Sequence, residues 1–154
     1  MTQYPSFHQL EVGQQLSGRI TVTEAHIVLA CGIFADFAPL HVDEEYARQT
    51  RFGTRIAHGT LITGIMAGVL SKHLGPNAVG YLEQNVRFTA PVLAGDTVST
   101  VWEVTDKIDK PRLGGGIVTL HGTCSTQAGV TAVEGTSALI VAYDTEPVTE
   151  TSSN

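Results

Sequence analysis

The sequence predicts an α+β fold: a single domain in which an antiparallel β-sheet wraps a long central helix. Two observations carry that expectation. Residues 59–73 hold Leu61, Ile62, Ile65, Met66, Val69 and Leu70 at helical spacing, and four strand-like segments then follow in succession, separated by turn signals. A helix that is apolar around most of its circumference has to be covered, and long strands joined by short links cover it by curling around it. The length, 154 residues, suits one core rather than two.

Each element has its own signal. Residues 16–22 read as a short strand, and Thr23 is a suitable N-cap for a helix over 24–33 with Ile27, Val28 and Cys31 on one stripe. A polar break follows from Asp36 to His41, where Pro39 argues against regular helix. Asp43 caps a short helix over 44–49, whose first turn carries two acids where the helix dipole favours them. The central helix stops at Gly75-Pro76. Its Gly59, Gly64 and Gly68 cost about 1 kcal/mol each relative to alanine in an exposed helix, so the sheet is expected to press close on the helix backbone there. Strands are expected over 79–88, 97–105, 116–126 and 130–143, with turns at 91–96, at Lys110-Pro111 and Gly114-Gly115, and at Ala128-Gly129. Short links make consecutive strands antiparallel neighbours. The domain is placed at 1–144, and the Thr, Ser, Glu and Pro of 145–154 are expected to be disordered.

Composition excludes several classes. Acidic residues outnumber Lys plus Arg by 15 to 9, a formal charge of −6, which argues against nucleic acid or an anionic membrane as a partner. No apolar stretch approaches the roughly 20 residues that span a bilayer. The start MTQYPSFHQLEVGQQ has neither a basic beginning nor an apolar run, so a soluble, cytoplasmic protein is expected. Cys31 and Cys124 form no metal-type pair, and His8, His26, His73 and His121 have no partners at ligand spacing, so no metal is expected. Only 16% of residues are charged, which suits a chain with one face covered by a second copy.

The chemistry is expected between Phe34 and Thr60. Asp36 and His41 flank Pro39 on one stiff segment, a carboxylate and an imidazole of the kind that shares acid/base work. The alternative is a turn capped by Asp36 beside a half-buried histidine. In Ile56-Ala-His-Gly-Thr60, Gly59 opens the central helix, whose first free N–H groups could hold an oxyanion. The alternative there is a tight turn that needs a small residue. His58 reads from the residues alone as a hydrogen-bonded turn histidine.

Taken together, the run from Asp36 to Arg48, the Ile56-Ala-His-Gly59 turn, and Val86-Arg-Phe-Thr-Ala-Pro-Val92 with Gly95-Asp96 resemble the MaoC-like, R-specific enoyl-CoA hydratase branch of the hot-dog superfamily. The resemblance spans nearly the whole chain before the tail. It implies a hot-dog domain, at least a homodimer or a dimer of dimers, and reversible addition of water to a trans-2-enoyl thioester of coenzyme A. No cofactor is implied beyond the coenzyme A carried by the substrate. The loop pattern Asp-x-Asn-Pro-x-His carries over at Asp36, Pro39 and His41, with Asp36 and His41 catalytic and Gly59 the oxyanion donor. Substrate contacts are expected at Pro39, His58, Thr60 and Arg87. Two positions depart from the pattern: Ala38 stands where the family usually has Asn, and Gly64 where related hydratases often place Ser.

A basic approach for the coenzyme A phosphates is sought among Arg51, Arg55, Arg87, Lys110 and Arg112. Two other classes fit the same scaffold. One is a thioesterase, which hydrolyses the thioester and needs no Asp-to-His loop. The other is a non-catalytic acyl-CoA-binding subunit, suggested by Ala38 and Gly64.

Overall fold

The structure, a computed structural model, describes residues 4–143; the expected disordered tail, and residues 1–3 and 144 of the expected domain, lie outside them. Five strands, β1 (Gln15–Thr21), β2 (Ala78–Phe88), β3 (Thr97–Lys110), β4 (Gly115–Thr126) and β5 (Thr131–Ala142), form one antiparallel sheet in the order β1-β3-β4-β5-β2. Among the described residues four α-helices accompany it: α1 (Glu24–Phe34), α2 (Pro39–Val42), α3 (Glu44–Arg48) and α4 (Gly59–Leu74).

Helix α4 is the axis of the fold. Ile62, Met66, Val69, Leu70 and Leu74 form its buried stripe, and they pack against inward residues of the sheet such as Trp102, Val104, Leu120 and Leu139. The Trp102 indole N–H donates to the main-chain carbonyl of Met66 at 2.9 Å, bonding the middle of the helix to the middle of the sheet. Trp102 faces Gly122 across the β3–β4 pair, where a Cβ would stand 2.3 Å from the indole ring.

The expected close approach of sheet to helix backbone is found at Gly59, where a Cβ would stand 2.8 Å from Phe88 of β2, but not at the other two helix glycines, and a second close approach comes from the sheet side. A Cβ on Gly18 of β1 would meet Val69 at 2.7 Å, whereas one on Gly64 or Gly68 would meet nothing within 4 Å. These two glycines lie on the exposed face of α4.

Two further expectations are corrected. β2 and β3 are consecutive but not neighbours: β2 pairs with β5 at one edge, and β3 lies between β1 and β4. The 89–96 link is instead held by the turns it passes, through Ala57 N–H to the Val92 carbonyl (2.8 Å) and Gly95 N–H to the Val22 carbonyl (2.7 Å). Second, β3 runs on past Thr105, because a register shift between Val104 and Asp106 lets the polar Asp106–Lys110 stretch resume pairing with β4.

The caps form as the sequence suggests. The Thr23 N–H donates to His26 Nδ1 (2.9 Å) at the start of α1, and Asp43 Oδ1 accepts the Tyr46 N–H (3.0 Å) at the start of α3. Helix α1 buries Ile27, Ala30 and Cys31. Val28, expected on the same stripe, is instead 59% exposed and lies with Leu29, Ile33 and Phe34 on an outward apolar face. No helix among the described residues is long and apolar enough to cross a membrane.

Candidate active site

The segment after α1 is shaped residue by residue. Ala35 adopts the left-handed conformation (φ 52°) and ends the helix, turning the chain so that Asp36 begins a new direction. Asp36 Oδ1 accepts the Ala38 N–H at 3.1 Å, a local turn that the main chain of Ala38 makes without a side-chain amide. Pro39 then sits at the first position of α2, where a missing N–H costs nothing, so the expected break contains one short helix instead. That turn carries His41 into the protein, where its Nδ1 lies 2.7 Å from the Ile56 carbonyl.

A carbonyl only accepts, so the proton of neutral His41 sits on Nδ1 and its Nε2 holds a lone pair. This Nε2 lies 3.9 Å from Asp36 Oδ2, too far for a direct bond and suited to a bridging water. A water about 2.8 Å from each atom makes an angle of about 90° between them, close to what its two hydrogens can serve. The His41 side chain is 12% exposed and that of Asp36 45%, so the gap opens towards solvent on the acid's side.

Both residues line a cavity of about 780 Å³ together with Gly59 and Thr60 at the start of α4. The Gly59 N–H has no partner among the described residues, as expected at a helix start. A Cβ there would stand 2.8 Å from the Phe88 ring, so glycine keeps this amide approachable between the ring and the helix. The remaining wall is largely apolar, with Phe52, Ile56, Ile62, Phe88, Val92 and Val133.

Other expected site residues fall elsewhere. Pro39, His58 and Arg87 do not line this cavity. Arg87 is one residue from Phe88 on β2, and strand alternation sends it to the opposite face, into a separate polar cleft with Glu134 and His121. His58 is 1% exposed, buried behind His41. Gly64 is likewise outside the lining set.

Of the candidate cations, Arg51 lines the cavity, its guanidinium 4.8 Å above the Phe52 ring. Arg55 is engaged, bonding Glu24 at 2.7 Å and Glu44 at 3.2 Å and so tying the start of α1 to α3. Partial burial pushes the Glu44 carboxyl up, but bonds from the Arg55 side chain, the Thr54 hydroxyl and the Arg55 main chain together hold it below its ordinary value. Lys110 and Arg112 stand at the β3–β4 turn, outside the lining set.

Asp36, His41 and His58 bring donor atoms within 4.8 Å of one another, a trio of metal-ligand type that spacing in the sequence did not reveal. Two of the ring nitrogens are already directed at main-chain carbonyls. The two imidazoles also lie face to face, centroids 3.7 Å apart, and the His58 nitrogen left over, Nδ1, is buried, His58 being outside the lining of the cavity that Asp36 and His41 share. The geometry favours a water held by Asp36 and His41 over an ion held by all three.

A five-stranded antiparallel sheet curled around one long helix is a hot-dog fold, here with an acid and an imidazole beside the amide end of the helix. Residues 8–123 match the MaoC like domain, and the chain belongs to that family. It is 40% identical over 136 residues to an (R)-specific enoyl-CoA hydratase of Rhodospirillum rubrum, covering 88% of this chain and 90% of that one. It is 36% identical over 131 residues to an (R)-specific enoyl-CoA hydratase of Aeromonas caviae, covering 84% and 94%. An unliganded R-hydratase of Pseudomonas aeruginosa matches the structure with a TM-score of 0.81 at 29% identity, over 94% of this chain and 95% of that one.

Proposed function

We infer that this chain is an (R)-specific enoyl-CoA hydratase, a hydro-lyase that adds water reversibly to a trans-2-enoyl-CoA. The observation that carries this reading is the 3.9 Å gap between Asp36 Oδ2 and His41 Nε2 beside the start of α4. Both atoms accept, so together they hold a water by its two hydrogens and leave an oxygen lone pair free to attack. As that oxygen bonds to Cβ of the enoyl group, Asp36 takes a proton from it. Charge moves to the thioester oxygen, where the Gly59 N–H stabilises it, a contribution of roughly 3 to 4 kcal/mol for one such donor. The proton held by the Asp36–His41 pair is returned to Cα, so OH has been added at Cβ and H at Cα. The reverse sequence is the dehydration.

Acid/base positioning of this kind contributes about 10² to 10⁴ in rate. Coenzyme A enters as part of the substrate, and no further cofactor takes part. Arg51 at the cavity is the cation best placed for a coenzyme A phosphate. We also propose that the chain works in the cytoplasm as a homodimer. Supporting the dimer, β2 leaves one edge unpaired and exposes Val79, Tyr81 and Leu82, features that a second copy would cover.

The test follows enoyl-thioester absorbance with crotonyl-CoA and longer enoyl-CoAs, with chiral separation of the 3-hydroxyacyl product. Loss of absorbance with the (R) product supports the reading. Release of free thiol from saturated acyl-CoA would point to a thioesterase, and binding without turnover to a non-catalytic acyl-CoA-binding subunit; either outcome without hydration overturns it.

A further inference from the structure

His58 caps the start of α4, yet its side chain makes no bond to the helix it caps. The ring turns back under the loop that carries Asp36. Its Nε2 lies 3.1 Å from the main-chain carbonyl of Asp36 and 3.7 Å from Cys31 Sγ. Its Nδ1 is buried with no partner among the described residues. One face stacks on the His41 ring, centroids 3.7 Å apart at 26°, and Phe34 meets it edge-on at 6.1 Å. A residue 1% exposed with one ring nitrogen unsatisfied is an expensive way to fill space, and what it gains is contact with both groups that face the water.

We propose that His58 is a positioning residue: by bonding the carbonyl of Asp36 and backing the ring of His41, one imidazole sets the spacing of the two groups that share the water. The inference rests on the hydratase reading. The Asp36 carbonyl accepts, so His58 carries its proton on Nε2 and leaves Nδ1 bare. The bond falls one residue after Ala35, whose left-handed backbone (φ 52°) persists only where its surroundings hold it. The next amide along the chain is that of Gly59, so acid, imidazole and oxyanion donor all adjoin one residue at the start of α4. His58 touches no cavity surface, and its effect passes through its two neighbours.

His58→Phe keeps a ring under His41 and removes the donor, whereas His58→Gln puts an amide N–H near the place of Nε2–H. Since a misplacement of about 1 Å costs on the order of 100-fold, kcat for crotonyl-CoA hydration is expected to fall by about 30- to 100-fold in His58→Phe. KM should stay within about threefold, and His58→Gln should recover at least about tenfold of the loss. Side-chain nitrogen–proton NMR of the wild-type protein should show His58 protonated at Nε2 and His41 at Nδ1. The proposal is overturned by a His58→Phe variant with kcat within about threefold of wild type, by a Gln variant no better than the Phe variant, or by a His58 proton on Nδ1. Should the wild-type protein turn over no enoyl thioester, the hydratase reading falls, while the tautomers still decide the placement of His58 without reference to activity.

Discussion

Replacing Asp36 by Asn changes one atom, and the structure says which role is lost. Asp36 Oδ1 already accepts the Ala38 N–H at 3.1 Å, so the Asn carbonyl oxygen takes that place and its NH2 takes the place of Oδ2. A donor then faces His41 Nε2 across the 3.9 Å gap. The group that accepted a hydrogen from the water, and then its proton, is replaced by one that can do neither. Removing a positioned base costs about 10² to 10⁴ in rate, or about 3 to 5 kcal/mol of transition-state stabilisation. The turn at Ala38 survives, so the melting temperature should hold within a few degrees, and KM for crotonyl-CoA within about threefold. The assay is initial hydration rate from enoyl-thioester absorbance, beside circular dichroism of the same sample. An Asp36→Asn variant with kcat within about threefold of wild type would refute the reasoning.

Other residues allow independent checks. Gly122→Ala drives a Cβ to within 2.3 Å of the Trp102 ring, which is fixed by its bond to Met66; overpacking should cost about 1 to 3 kcal/mol, read as a melting temperature lower by roughly 3 to 10 °C. Tyr143 donates to Asp109, and that bond, with burial and the acid's charge, raises its hydroxyl from 10.0 to about 12. The folded state therefore keeps this proton to higher pH than the unfolded chain, so the stability it adds is complete below pH 10 and lost as pH rises towards 12. Alkaline denaturation of Tyr143→Phe should accordingly be flatter over that interval, and an unchanged slope would remove the assignment. Arg51→Ala should raise KM for crotonyl-CoA about three- to tenfold with kcat preserved, and should weaken the salt dependence of KM; an unaltered KM would take Arg51 out of phosphate recognition.

Much of this fold is written locally. The apolar spacing of 61–70 marks the central helix, and Asp43 and Thr23 mark helix starts, because caps and periodicity depend on residues a few positions apart. What the sequence hid depends on distant partners. The extension of β3 over Asp106–Lys110 is polar and looks like a turn, and it becomes a strand only because β4 lies alongside. The placement of β2 beside β5 is a choice among edges that no short-range signal makes. At the site, Asp36 and His41 are legible as a pair because five residues and a proline hold them together. His58, seventeen positions after His41, joins them only through folding. Arg87 was recoverable in principle: strand alternation that turns Phe88 towards the cavity has to turn its neighbour away.

The account stands on Asp36 and His41 acting on one shared water, and a double-mutant cycle addresses that most directly. Hydration rates are measured for wild type, Asp36→Asn, His41→Ala and the double variant. Groups that act as a unit are strongly non-additive, so the double variant should fall within about tenfold of the slower single variant. Losses that multiply, with each substitution costing the same in the presence or absence of the other, would mean that the two side chains serve separate steps.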